Sequence, residues 1–458
     1  MKEAVIAHLR ENRDQYVEEL KDFLKLPSIS ADSAHHEDVR ETAVWLKAAL
    51  TSAGMDKVEV IETDKHPLVY AEWLRAGEEA ETILIYGHYD VQPVDPLDLW
   101  ETPPFEPSIR DGKLYARGAS DDKGQTLMHI KAVQAMLEVE GKLPFNVKFL
   151  IEGEEEIGSP SLDAFVESEK EKLAADVLII SDTPMLSAGR PAICTGLRGI
   201  AALQIDVRGT KGDLHSGLYG GAVQNALHAL VQLLASFRDE QGRIQVAGFY
   251  DGIEALPEAE KDSLAALGSG DEEMKEETGV RELFGEAGYT SRERTWTRPT
   301  LELNGVYGGF QGEGVKTVIP ATAHAKLTCR LVPGQDPTDI FEKIEAHIAA
   351  HTPPGVTITT ERHDSGKPFA APVTDRAFQV AAQAYADVYN TEVAYTRMGG
   401  SIPVVETFDA ALGVPIVLMG FGLPSENFHA PNEHFHLDNF DKGLETIVAF
   451  WAHYAQKG

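Results

Sequence analysis

Cysteine is nearly missing from this chain, whose 458 residues carry only Cys194 and Cys329. Two thiols cannot build the disulfide framework of a small secreted domain, so the composition points to a reducing, intracellular setting. Positive charge is also scarce. There are 41 Lys and Arg residues against 73 Asp and Glu, a formal net charge of −32. That field repels phosphate backbones and anionic lipid, which argues against nucleic-acid and membrane partners. No apolar run approaches the ~18 residues of a membrane span. The opening MKEAVIAHLRENRDQYVEEL is charged throughout and lacks the apolar stretch of a secretory signal, so a cytoplasmic location is expected. What is present is ordinary hydrophobic content, 43%, in a length that suits two or three domains with a sizeable core. Most of the acidic excess reads as solvated surface; a smaller share reads as carboxylates held for metal ions.

Val5, Ile6, Leu9, Val17, Leu20, Phe23 and Leu24 recur at helical spacing until Leu26-Pro27-Ser28 stops them. Three short apolar runs follow: Thr82 to Tyr86, Val147 to Ile151 and Val177 to Ile180. Runs of this length read as buried strands of an α/β sheet, where ligands gather at the carboxyl ends of strands. Each run leads into a polar cluster: Gly-His-Tyr-Asp, Glu-Gly-Glu-Glu-Glu and Ser-Asp. Between 199 and 364 the rhythm changes. Strands are predicted at Ile200 to Val207, Thr300 to Val306, Ala323 to Val332 and Val356 to Glu361, with helices at Ala222 to Phe237 and Asp336 to His351. The order β-α-β-β-α-β is that of a ferredoxin-like unit. It predicts an inserted domain over 196–367 within a catalytic domain of 1–195 and 368–458. The acidic stretch Asp271 to Glu277 reads as a solvated helical excursion inside the insert, and Phe440 to Tyr454 as a closing helix.

His88, Asp121, Glu156, Asp182 and His429 are the candidate metal ligands, each after a strand or in a Gly/Pro-rich loop. Imidazole with carboxylate suits zinc first, with manganese or cobalt as alternatives. Any one of them alone reads as structural; the weight lies in five such positions in order. Two ions sharing carboxylates could together polarise a carbonyl and activate one water.

Five blocks carry a resemblance: Tyr86-Gly-His-Tyr-Asp-Val-Gln-Pro93, Ala116-Arg-Gly-Ala-Ser-Asp-Asp-Lys-Gly124, Glu152-Gly-Glu-Glu-Glu-Ile-Gly158, Ser181-Asp182 and His429-Ala-Pro-Asn-Glu433. In these blocks the chain resembles the carnosinase and cytosolic non-specific dipeptidase family, related to aminoacylases, succinyl-diaminopimelate desuccinylases and glutamate carboxypeptidases. The resemblance implies a metal-dependent aminopeptidase-like catalytic domain carrying an inserted lid and dimerisation domain. It implies two divalent ions bridged by Asp121, one completed by His88 and Asp182, the other by Glu156 and His429, with a cis peptide between Asp121 and Asp122. Asp90 would accept a hydrogen bond from His88, and Glu155 would be the general base that takes a proton from water and returns it to the leaving amine.

The same resemblance extends to the insert. Asp213 to Gly221 holds His215, the implied oxyanion donor. Lys316 to Pro320, with Thr317, and Cys329 to Pro333, with Arg330, are the implied grip on a substrate carboxylate. Gly399-Gly400-Ser401-Ile-Pro403 would face them, with Ser401 contributing its hydroxyl. The expected activity is hydrolysis of dipeptides by a homodimer in which His215 serves the neighbouring chain. The nearest alternative is an N-acyl-amino-acid deacylase or carboxypeptidase of the same clan. A catalytically dead metal-binding protein would have lost Glu155 or a ligand, and none is lost. A distinct zinc aminopeptidase would lack the insert with His215 and Arg330.

Overall fold

The apolar runs become the centre of a mixed sheet. A computed structural model describes residues 2–400 and 402–456. In it Thr82–His88 lies between Asn146–Glu152 and Val177–Ile180, and all three are parallel. Ile416–Leu418 continues the parallel run beside Val177–Ile180. On the other side Leu68–Trp73 and Lys57–Ile61 pair antiparallel. Every residue of Asn146–Glu152 and of Val177–Ile180 is buried, as expected for strands covered on both faces. The helices Lys123–Glu140, Arg376–Tyr389 and Leu437–Tyr454 pack together in this unit.

The chain divides into two compact units, one of residues 1–195, 371–396 and 403–458, the other of 196–370 with 397–402. Residues 397–402 therefore differ from the expected boundary, which put everything from 368 onward in the first domain. The physical reason is a buried pair: Arg397 forks onto Glu260 of the insert at 2.7 and 3.1 Å.

The second unit holds a four-stranded antiparallel sheet in the order Thr300–Gly308, Thr322–Leu331, Gly199–Arg208, Thr357–Gly366. Burial alternates along Gly199–Arg208 and Thr322–Leu331, so one face carries Ala201, Leu203, Ile205, Val207, Leu327, Cys329 and Leu331. The helices Ala226–Ser236 and Pro337–His351 contribute Leu230, Leu233, Ile340 and Ile344 to that same core. Cys329 is thus a packing residue, and burial pushes its thiol far above the usual range.

Local signals move some boundaries. The first helical stretch is two helices, Lys2–Glu11 and Arg13–Leu24, separated at Asn12, whose side chain bonds the His8 carbonyl at 2.9 Å. The helix expected from Ala222 begins at Ala226, because Asn225 caps it by accepting from the Leu227 amide. The acidic excursion is helical at Asp271–Thr278, with no buried residue. Among the described residues no helix is long and apolar enough to cross a membrane.

Candidate metal centre

His88 is the last residue of its strand and fully buried. Asp182 follows Ile180, the end of the neighbouring strand, by two residues. Glu155 and Glu156 start a single tight turn, Glu155–Ile157, three residues beyond Glu152. Asp121 precedes the helix Lys123–Glu140, and the peptide bond between Asp121 and Asp122 is cis. His429 comes from the loop after Ile416–Leu418 and holds a left-handed backbone, φ 58°. A non-glycine residue there is uncommon and marks a side chain whose direction the fold enforces.

These positions converge. One donor atom each from His88, Asp121 and Asp182 lie within 4.8 Å of one another, and so do donors from Asp121, Glu156 and His429. Asp121 belongs to both sets. Its Oδ1 lies 3.1 Å from His88 Nε2, and its Oδ2 lies 2.9 Å from His429 Nε2. One carboxylate thus presents one oxygen to each triad, the arrangement a bridging ligand requires. Each triad offers one imidazole and two carboxylates, a donor set that suits zinc, manganese or cobalt.

The electrostatics of this cluster call for cations. Burial pushes Glu156 up to about 8, raises Asp182 well above the carboxylate range and raises Glu155 as well. Burial also opposes charge on Asp121, but hydrogen bonds from His429 and His88 outweigh it and hold its carboxyl far below the ordinary value. The bond to Asp121 in turn lifts His429 to about 9. So many acids at close quarters repel one another unless protons or metal ions intervene.

Asp90 departs in part from expectation. His88 Nδ1 lies 3.1 Å from the backbone carbonyl of Asp90 and 3.5 Å from its carboxylate. The carboxylate itself accepts the backbone amides of Glu155 and Glu156, at 3.2 and 3.1 Å. Asp90 therefore clamps the turn that carries both glutamates as well as facing the ring of His88.

The supporting roles of two residues escaped the sequence reading. Gln92 donates its amide to Glu156 Oε2 at 2.7 Å. Glu433, fully buried, accepts the amides of Gly118, Ser120 and Asp121 at 2.9 to 3.1 Å and pairs with the buried Arg117 at 2.8 Å. Both stand inside quoted blocks, but their partners lie 64 and more than 300 residues away, beyond the reach of any local pattern.

The second unit arranges its expected residues in two places. His215 pairs with Val318 in a short ribbon, and the Thr317 carbonyl accepts the Ser216 amide at 3.1 Å, so His215 and Thr317 are neighbours; both are exposed. His215 Nδ1 accepts the Gly217 amide at 3.0 Å. Arg330 instead lines a cavity, with Arg198 among its neighbours, that includes neither His215 nor Thr317. Ser401 lies outside the described residues.

Residues 84–453 match peptidase family M20/M25/M40, and the chain belongs to that family, a class of metallopeptidases. It is 31% identical to human Beta-Ala-His dipeptidase over 99% of this chain and 93% of that one. It is also 31% identical to the Cys-Gly metallodipeptidase DUG1 of Candida albicans, over 98% and 96% of the two chains. Among solved structures, the metallo-carboxypeptidase Sso-CP2 of Sulfolobus solfataricus superposes with a TM-score of 0.81 at 34% identity, covering 96% of this chain and 99% of that one.

Proposed function

We propose that the protein is a two-metal dipeptidase. The observation that carries this reading is Asp121, whose two oxygens face two triads of ligands. His88 and Asp182 would hold one ion with Asp121, and Glu156 and His429 the other. Zinc is the first choice; manganese and cobalt suit the same donors. Such ions, when bound, would polarise the scissile carbonyl and acidify the attacking water. The protein's own groups do the rest. Asp90 fixes the backbone of residues 155 and 156, so the two glutamates are held in one turn. Burial raises Glu155, which favours a carboxylate that accepts a proton from water and passes it to the leaving amine. His215 would donate to the oxyanion; Arg330 and Ser401 of one chain, with Thr317 carried beside His215 by the other, would hold the substrate's terminal carboxylate. The named dipeptidases among the relatives support the dipeptide as substrate.

The finer architecture belongs to the same proposal. The insert acts as a ferredoxin-like lid and dimerisation domain. Its edge strand Thr300–Gly308 has one unpaired side and exposes Leu303, Val306 and Tyr307, an edge suited to pairing with a second copy. In that homodimer His215 of one chain serves the metals of the other. A chain with only two cysteines, both buried, fits a reducing cytoplasm. The carboxypeptidase likeness favours one alternative, removal of a C-terminal residue from longer peptides or acylated amino acids. Apo-protein reloaded with zinc, manganese or cobalt and assayed on dipeptides, tripeptides and N-acyl amino acids separates them. Preferred cleavage of dipeptides supports the proposal; cleavage confined to acylated or longer substrates refutes it. Mixing Glu155→Ala and His215→Ala chains under subunit exchange tests the shared site. Recovered activity is expected, and no recovery with exchange proven by mass rules the sharing out.

A further inference from the structure

His429 differs from the ligands it faces. Its side chain is 55% exposed, against 0% for His88, 15% for Asp121 and 4% for Glu156. It also sits in a loop between Ile416–Leu418 and His434–His436 that contains no helix or strand. Asn427, His429 and Asn432 in that loop all hold left-handed backbones, with φ of 58°, 58° and 62°. Residues with a side chain disfavour this region, so a loop carrying three of them needs restraint from outside.

Two buried carboxylates bracket His429 and supply that restraint. Glu433 follows it and holds the amides of Gly118, Ser120 and Asp121. Glu426 precedes it and is fully buried. Glu426 Oε1 accepts the His436 amide at 2.8 Å and faces Nδ1 of the same ring at 2.7 Å. Its Oε2 accepts the Leu423 amide at 2.8 Å, so one side chain draws both ends of the loop together. The same Oε2 accepts the hydroxyl of Ser120 at 2.6 Å. Ser120 stands directly before Asp121 and is gripped at each polar atom: its amide by Glu433, its carbonyl by Gln125 Nε2 at 2.9 Å and its hydroxyl by Glu426. Ser120 Oγ lies so near the loop that a Cβ on Gly422 would meet it at 2.8 Å. All of these residues belong to the first unit.

We propose that Glu426 is a positioning residue for one of the two ions. Through Ser120 it fixes the His429 loop against the Asp121 segment, and so governs the affinity of the Glu156 and His429 triad while leaving the His88 and Asp182 triad nearly untouched. The inference rests on the two-metal reading. Loss of the Ser120 hydroxyl leaves Asp121 in place, because Glu433 and Gln125 still hold the amide and carbonyl of Ser120. It frees the loop instead. The other ties of the loop lie at Phe421, whose amide Gln125 accepts at 2.7 Å, and beyond His429 at Glu433. The ligand that gains freedom is therefore His429, whereas His88 ends a buried strand and Asp182 closely follows another.

Zinc affinities of the two positions in Ser120→Ala test this. Chelator competition resolves the two binding steps, and anomalous diffraction at the zinc concentration that just saturates the wild type shows which position empties. Residues that orient a ligand typically govern metal affinity about 10–100-fold. We expect the ion of the Glu156 and His429 triad to weaken at least about tenfold, and the other by less than about threefold. Glu426→Gln should weaken the same ion, and adding Ser120→Ala to it should cost little more, since the two side chains form one link. Equal weakening of both ions, no weakening of either, or a loss confined to the His88 position overturns the assignment and leaves the two-metal reading standing. A wild type that binds a single ion refutes the two-metal reading and the assignment with it. Calorimetry of the metal-free variants shows whether each folds; if Glu426→Gln does not, Ser120→Ala, which removes one oxygen atom, decides alone.

Discussion

Replacing Glu433 with glutamine tests how the Asp121 loop is held. Glu433 Oε1 accepts the amides of Ser120 and Asp121, and Oε2 accepts the amide of Gly118 and the Arg117 guanidinium. Glutamine replaces one oxygen by an NH₂ group, which cannot accept. Whichever way the amide is turned, two donors lose their partner and face a third. Arg117, 1% exposed, is also left without a counter-charge. Breaking one half of a buried pair costs about 3–5 kcal/mol. For a large domain about 1 kcal/mol corresponds to about 2 °C, so the first unit should unfold roughly 6–10 °C lower. Differential scanning calorimetry on chelator-treated protein reads this, since metal would otherwise mask the loss. A drop below about 2 °C would mean that Glu433 is dispensable and that the loop is held by something else.

Glu155→Gln should keep both metals, by elemental analysis, and lose about 10²-fold or more in turnover; near-normal turnover removes it as the base. Gln92→Ala should weaken metal binding about 10–100-fold, by competition with a chelator, because the Glu156 carboxylate loses its orienting donor; unchanged affinity would make Gln92 incidental. His429 is raised to about 9 by Asp121, so at neutral pH a metal must displace its proton. Zinc loading at pH 7 should therefore release protons, and apparent affinity should climb with pH and level off above about 9. Calorimetry in buffers of different protonation enthalpy measures the release, and an affinity constant from pH 6 to 9 would contradict it.

The sheet was legible because its central strands are buried on both faces and read as unbroken apolar runs, with the polar clusters directly after them. His88, Glu155, Glu156 and Asp182 stand at those strand ends. The strands of the second unit were legible through alternation, since one face of its sheet packs on helices. What local pattern could not carry are contacts made across the chain. Glu260 and Arg397 draw residues 397–402 into the second unit, although the sequence beside them belongs to the first. Gln92 and Glu433 support the candidate ligands Glu156 and Asp121, 64 and 312 residues away. The cavity that Arg330 lines is assembled from positions scattered between 198 and 330, none of which stands out in its own neighbourhood. Asn12 and Asn225 are local signals of a different kind, a break and a cap that periodicity alone passes over.

The central claim is that Asp121 joins two metal sites, and metal stoichiometry with anomalous diffraction tests it most directly. After reloading, the wild type should hold two ions per chain on either side of Asp121. Glu156→Ala should retain the ion of the His88 and Asp182 site and lose the other, whereas Asp121→Ala should empty both. A single ion in the reloaded wild type, or an Asp121→Ala variant that still holds two, would contradict the account.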